Sequence, residues 1–217
     1  MLFYNINLAI RSIFRKKGYA LTSILGLAVG MMCCLVITFF VLDELSYDQY
    51  HVKKDRIHRL VTNVEESTYG GIAKVTGPWG ISAKAEIPEV EEITRFVFTN
   101  QTIFEKGEKK FYESLGRYTD SSVFKIFSYE LIEGNPYTAL TEPSSIVLTQ
   151  TLKDKYFGNE PAVGQSIKLD NEEFNVTGVI KDVPSNSHFS FTYLLSMNSL
   201  QHPDKDNWLR WNQFYAY

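Results

Sequence analysis

From Tyr19 to Leu42 the chain reads "YALTSILGLAVGMMCCLVITFFVL", with no charged residue. As a helix rising ~1.5 Å per residue, such a run reaches ~36 Å, enough to cross a hydrocarbon core of ~30 Å with some tilt. A secretion signal has a shorter apolar region of ~7–15 residues and then a small-x-small cleavage site. This run instead exits through "FFVLDELS", which offers no such site. The segment 19–42 is therefore read as a permanent transmembrane helix, and it fixes the compartment of everything after it.

Flanking charge sets the orientation. Arg11, Arg15, Lys16 and Lys17 precede the span, and Asp43 and Glu44 follow it. Basic flanks stay on the cytoplasmic side, so residues 1–18 are expected inside and residues 43–217 outside. Within the span, Ser23, Gly26, Gly30 and Cys33 recur at helical spacing and form one small-residue stripe. Small residues let helix backbones approach closely in lipid, so this stripe is the expected packing face. Cys33 and Cys34 are adjacent, a spacing that rarely suits a disulfide, and read as small apolar fillers. Upstream, Phe3, Ile6, Ile10, Ile13 and Phe14 make an amphipathic helical stripe. It suits membrane lipid at the inner face, or a cytoplasmic partner.

The chain of 217 residues allows one ordinary domain beside these segments. Residues 1–18 hold four basic groups and no acid, while the whole carries −3, so the outer part is acidic. That argues against nucleic acid, which needs clustered Lys and Arg. No Cys follows the span, so the outer part has no disulfide framework.

"DELSYDQYHVKKDRIHRLV" continues without Gly or Pro. It reads as a stalk helix over 43–60, carrying Asp43, Glu44, Tyr47, Asp48 and His51, that becomes a strand near Ile57–Val64. Glu44, Asp48 and His51 would share one helix face. Two carboxylates and one imidazole without a fourth ligand read as a solvated or partner-facing surface, not as a metal site. Over 61–217, "ISAKAEI" reads as a short helix, and "TRFVFTN", "KKFYESLGRY" and "SSIVLT" as strands. Asp120 is expected to cap a short helix through "SSVFKIF". Leu148, Leu152 and Tyr156 at intervals of four, before Gly158, read as a helix and its stop. "SIKL" and "EFNVTGVI" read as a hairpin around Asp170–Asn171, with Phe174, Val176 and Ile180 on one face. The pattern is α+β. The ending "WLRWNQFYAY" reads like the opening of a strand, so the chain is expected to be part of a longer protein.

Motifs for enzymatic chemistry are missing. There is no phosphate-binding Gly-x-x-x-x-Gly-Lys-Ser/Thr, no Gly-x-Gly-x-x-Gly, no His-Glu-x-x-His and no Gly-x-Ser-x-Gly. No catalytic, cofactor-binding or metal-ligating residue is assigned. His188 has Asp182, Ser185 and Ser187 nearby in "KDVPSNSHFSF", but these crowd one turn, where Asn and Ser bond their own backbone.

Taken together, "RKKGYALTSILGLAVGMMCCL", "DELSYDQYHVKKDRIHRL", "FKIFSYELIEGNPYTAL", "PSSIVLTQTLKDKYFGNEPAVGQSIKL" and "VTGVIKDVPSNSHFSF" resemble MacB/FtsX-type ABC transporter permeases of Bacteroidetes-like bacteria. The resemblance implies a first membrane helix, a MacB-like periplasmic core domain and three later membrane helices, in the bacterial inner membrane. It also implies a second permease copy and a separate or fused ABC ATPase subunit as partners. In that family ATP turnover moves the periplasmic domains, a mode called mechanotransmission, for clients such as exported peptides, macrolides, lipoproteins or cell-wall hydrolases. The stalk would transmit the motion. The alternative is a single-span sensor or ligand-binding module; an anchored periplasmic enzyme is the third reading.

Overall fold

The computed structural model describes residues 15, 17–63, 71–209 and 213–217. Arg11, Lys16 and the amphipathic stripe Phe3, Ile6, Ile10, Ile13 and Phe14 lie outside the described residues. The chain divides into two units, Met1–Tyr47 and Asp48–Tyr217.

The first unit is helix α1, Lys17–Ser46. It is long and apolar enough to cross a membrane, and none of its residues is buried within the chain. Its apolar side chains ring the whole circumference, as lipid requires and as a half-buried helix would not. The hydroxyls inside it bond backward to carbonyls of the same helix, Thr22 to Tyr19 at 3.0 Å and Thr38 to Cys34 at 2.8 Å. Each of these two threonine hydroxyls is thereby satisfied without a partner outside the helix.

Helix α1 stops at Ser46, so the expected stalk helix over 43–60 does not exist. Residues 47–50 are a turn, Lys54–Arg56 form one 3-10 turn, and the chain then runs extended. The cause is Asp48, whose φ of 57° lies in the left-handed region, through which a right-handed helix cannot pass. Asp tolerates that region better than most residues because its short side chain bonds locally. Glu44, Asp48 and His51 consequently share no helix face. The strand expected at Ile57–Val64 is reduced to an isolated bridge, Thr62 to Ile72, and a bond from the Leu60 amide to the Ala216 carbonyl at 2.9 Å.

The second unit is α+β. In chain order it holds α2 (Gly77–Glu86), β1 (Arg95–Phe98), β2 (Thr102–Lys106), β3 (Lys109–Glu113) and β4 (Gly116–Thr119). Then come α3 (Val123–Ile126), β5 (Leu131–Gly134), β6 (Ser145–Thr149), α4 (Gln150–Phe157), β7 (Ser166–Leu169), β8 (Glu172–Ile180), β9 (Tyr193–Ser196) and β10 (Tyr215–Ala216). Among the described residues the strands form one mixed sheet in the order β10-β1-β4-β9-β6-β8-β7-β2-β3, with β5 beside β8. β4 runs parallel to β9 and β6 parallel to β8; the other pairs are antiparallel. The nine-residue β8 is the spine: its first half pairs with β7, its second half with β5, and its other edge with β6.

The central strands β6 and β9 are buried along their whole length because both faces are covered. Ile146 and Leu148 of β6, with Tyr193 and Leu195 of β9, enter one core with Leu152 and Tyr156 of α4. Val147 and Leu194, on the opposite face, enter a second core with Val123 of α3, Phe96 and Phe189. Leu148 thus belongs to β6 and not to the helix, although it meets Leu152 and Tyr156 in the same core. Gly158 ends α4 at φ 60°, as expected. Gly116 is required for packing: a Cβ there would collide with the ring of Tyr193.

The hairpin at Asp170–Asn171 has φ of 47° and 70° at its two turn residues, the geometry whose twist matches antiparallel strands. Further along β8 the register against β6 shifts between Ile146 and Val147. One extra residue on a strand reverses which side chains face which way. Phe174, Val176 and Val179 therefore lie in the first core and Ile180 in the second, so the expected single face of Phe174, Val176 and Ile180 is split. Thr177 sits at the shift and donates its hydroxyl to the Ile146 carbonyl at 3.2 Å.

Asp120 does not cap α3. Its carboxylate takes both sides of the Arg95 guanidinium, Nε at 2.9 Å and Nη2 at 2.7 Å, and also the Arg95 amide at 2.9 Å. Two parallel bonds between opposite charges outweigh a single cap bond from the same carboxylate to a neutral backbone amide.

Candidate functional site

The segment Asp48–His51 at the start of the second unit is held by two other stretches of that unit, 186–188 and 125–129. The Asp48 amide donates to the Asn186 carbonyl at 3.0 Å, and its carboxylate accepts from the His188 amide at 2.9 Å. The Ser187 hydroxyl lies 3.4 Å from the same carboxylate oxygen and 2.8 Å from the Tyr50 hydroxyl. His51 is 3% exposed. Its Nδ1 accepts the Ser128 amide at 3.1 Å, while the Ser128 hydroxyl accepts the Val52 amide at 2.9 Å. Lys53 then reaches the Lys125 carbonyl at 2.8 Å. The imidazole sits among aromatic rings, with centroids of Tyr50, Phe127 and Tyr129 at 4.0, 5.1 and 5.5 Å.

Burial sets the protonation of this cluster. It lowers the pKa of His51 below its ordinary value of 6.5, against the opposing pull of the Asp48 charge. It raises the pKa of Tyr50 and, more strongly, that of Tyr129. At neutral pH the arrangement is a neutral imidazole, neutral phenols and one carboxylate that binds two amino-acid positions of a remote turn. This is the chemistry of a mechanical fastening: the Asp48 carboxylate, the Tyr50 hydroxyl and the His51 imidazole are each spent on holding one segment to another.

The other sequence-selected residues lie as follows. Ser23, Gly26, Gly30 and Cys33 are on α1 and exposed, and a Cβ added at Gly26 or Gly30 would meet nothing within 4 Å. Arg15 and Lys17 are exposed at its start, and Asp43 and Glu44 are exposed in its last turn. Tyr47 follows as a turn residue, and only Asp48 and His51 of the expected stalk set come together in the clamp. The turn around His188 is divided among several partners. Asp182 caps the start of α4 by accepting the Thr151 amide at 3.1 Å and its hydroxyl at 2.8 Å. Ser187 serves Tyr50 and Asp48, and the His188 ring lies 3.3 Å from Arg59. Tyr50, Ser128 and Asn186 escaped the sequence reading, and Ser187 and His188 were read only as members of their own turn, since nothing local ties any of them to Asp48.

Beside this region an open groove of about 590 Å³ is lined by residues of both signs, among them Arg56, Glu89, Glu91, Glu92 and Lys125. A smaller, apolar groove of about 320 Å³ lies between Leu60, Trp79, Ile87 and Trp208.

The described residues thus hold a mixed sheet with three apolar clusters, preceded in the chain by an apolar helix of membrane length. The chain belongs to the family of the MacB-like periplasmic core domain, whose model matches residues 20–216. Among solved structures it is similar to a domain of a putative permease protein from Porphyromonas gingivalis, with a TM-score of 0.61 at 21% identity over 67% of this chain and 68% of that one. It is also similar to the periplasmic region of MacB from Actinobacillus actinomycetemcomitans, with a TM-score of 0.51 at 13% identity over 73% and 71% of the two chains. A third likeness is to the extracellular domain of the noncanonic ABC-type transporter YknZ from Gram-positive bacteria, with a TM-score of 0.51 at 13% identity over 74% and 80%. No curated protein sequence matches significantly.

Proposed function

We propose that the chain is the N-terminal part of a permease subunit in a MacB/FtsX-type ABC transporter of the bacterial inner membrane. In this reading α1 spans the membrane with Arg15 and Lys17 at its cytoplasmic end, and residues 43–217 lie on the periplasmic side. An ATPase partner hydrolyses ATP in the cytoplasm, and a second permease copy completes the unit within the lipid. The ATP-driven event is a movement of the periplasmic domain, for export or for mechanotransmission, and ATPase activity belongs to the partner.

The observation that carries the coupling is the fastening of Asp48 to Asn186 and His188. One residue, Tyr47, separates the end of α1 from Asp48 in the chain. A pull that reaches Asp48 is then passed to the 186–188 turn through hydrogen bonds within the outer domain. Coupling of this kind needs an element with discrete arrangements that both ends bias.

The test uses the whole permease with its ATPase in membranes, Cys33→Ser and Cys34→Ser, and a thiol reporter placed by Tyr137→Cys, whose parent side chain is 73% exposed. ATP is expected to change the labelling rate of that thiol, and Asp48→Ala is expected to suppress the change while ATP hydrolysis persists. An unaltered ATP response in Asp48→Ala would overturn the coupling role. In intact cells, labelling at position 137 and protection at position 17 by the same impermeant reagent are expected; the reverse pattern would overturn the orientation.

A further inference from the structure

We infer that strand β3 is a self-complementary edge, through which two copies of this chain join their sheets antiparallel about Phe111. This inference rests on the proposal that two permease copies work together, and it names the surface that brings their outer domains into contact.

β3 closes one end of the sheet and, among the described residues, pairs only with β2. The direction of its free backbone groups follows from its partner. Ile103 gives its carbonyl to the Asp170 amide and its own amide to the Asp170 carboxylate, both at 2.9 Å. Its backbone therefore points toward β7, and the pair Ile103–Tyr112 is a non-hydrogen-bonded one. Tyr112 consequently directs its amide and carbonyl away from β2, to the open edge, and by alternation so does Lys110.

Edge strands are commonly guarded by lysines that repel a second strand. Here both lysines are engaged within their own copy, although they stay exposed. Lys110 pairs with Glu105 at 2.5 Å, and Lys109 donates to the Lys155 and Tyr156 carbonyls at 2.6 and 3.1 Å. Beside them the edge is aromatic: Phe111 is 48% and Tyr112 66% exposed.

Register selects a second copy of this chain as the occupant. Around Phe111, Lys110 of one copy faces Tyr112 of the other, so every outward-directed amide and carbonyl of both residues is paired. The same alignment sets Lys109 opposite Glu113 and no like charge opposite another. Centring on Lys110 places like charges face to face, and centring on Tyr112 leaves Lys110 facing Ser114 beyond the strand; either halves the bonds between outward residues. Such an edge is short, and tethering both copies in one membrane raises their effective concentration enough for it to matter.

The test is disulfide trapping of the full chain in membranes on a Cys33→Ser, Cys34→Ser background. Phe111 faces its own copy in a non-hydrogen-bonded position, where Cα atoms approach within disulfide range. Phe111→Cys is expected to give an oxidant-dependent dimer several-fold more abundant than Tyr137→Cys. Lys110→Cys mixed with Tyr112→Cys is expected to cross-link, and Lys110→Cys alone is not. Tyr112→Pro, which removes an outward amide and no bond to β2, is expected to lower trapping at position 111. Co-purification of two differently tagged but otherwise unaltered copies reports pairing independently. Co-purification without trapping at 111 overturns the edge and leaves the paired permease standing; absence of both overturns the two together.

Discussion

Asp48 and His188 are joined by a hydrogen bond of 2.9 Å from the His188 amide to the Asp48 carboxylate, across 140 positions of sequence. That bond closes the domain on its own first residue. It also holds Asp48 in the left-handed conformation that ends any helical continuation from α1.

Replacing Asp48 should loosen this closure in graded steps. Asp48→Ala removes the acceptor of the His188 amide and is also disfavoured at φ 57°, so a loss of about 1–3 kcal/mol is expected. Asp48→Asn keeps an acceptor and tolerates the backbone, and should lose less. Thermal unfolding of the purified full chain, with hydrogen exchange at the 186–188 amides, measures the order; equal losses for Ala and Asn would remove the carboxamide-replaceable bond from the account.

His51 should make the clamp acid-sensitive. Its folded pKa lies below the ordinary 6.5, so the native state binds fewer protons than the unfolded state as pH falls. Its contribution is complete above about 6.5 and is lost progressively below, as Nδ1 takes a proton and can no longer accept the Ser128 amide. Exchange at the Ser128 and Val52 amides is expected to rise between pH 7 and pH 5, after correction for intrinsic rates. In His51→Phe that pH dependence should vanish.

Arg95 and Asp120 form a fork with 11% and 23% of their side chains exposed. Removing one partner of such a pair leaves the other poorly compensated, and about 3 kcal/mol is expected for Asp120→Ala. Arg95→Lys keeps the charge but not the two-pronged geometry, or the bond to the Gly77 carbonyl at 3.2 Å, and should recover little. A double-mutant cycle with Arg95→Met and Asp120→Ala should show coupling above 1 kcal/mol, on the order of what charged contacts give; additivity would mean the pair is not a unit.

Gly26 and Gly30 bear on assembly in the membrane and not on the folded domain. Gly26→Leu and Gly30→Leu leave the helix intact and meet nothing within the chain. If the small-residue stripe is the packing face, each lowers recovery of tagged permease copies from the same membrane, while Ala28→Leu, on the opposite face, does not. Unchanged recovery in all three would remove the stripe from the assembly.

Much of this protein is written locally. The membrane helix, the Gly158 stop of α4 and the Asp170–Asn171 hairpin each depend on residues within one or two turns of each other, and all were legible in the sequence. The family resemblance likewise rests on short strings of residues, each contiguous in the chain. The errors share a cause. The stalk helix over 43–60 was read from the absence of Gly and Pro, but Asp48 is held by a turn far along the chain. Asp120 was given to the nearest helix start, whereas Arg95, 25 positions back, offered a charged fork. The single face of β8 assumed strict alternation, which the Thr177 irregularity breaks only because β6 pairs there.

The sequence by itself determined that a charge-free helix of membrane length precedes an α+β domain, because the order of apolar and charged side chains along the chain dictates both. Tertiary structure alone decided where that helix ends, what Asp48, His51 and Asp120 hold, and which strand is left open at Phe111. Those outcomes depend on charge and hydrogen-bond partners that become neighbours only after the sheet has assembled.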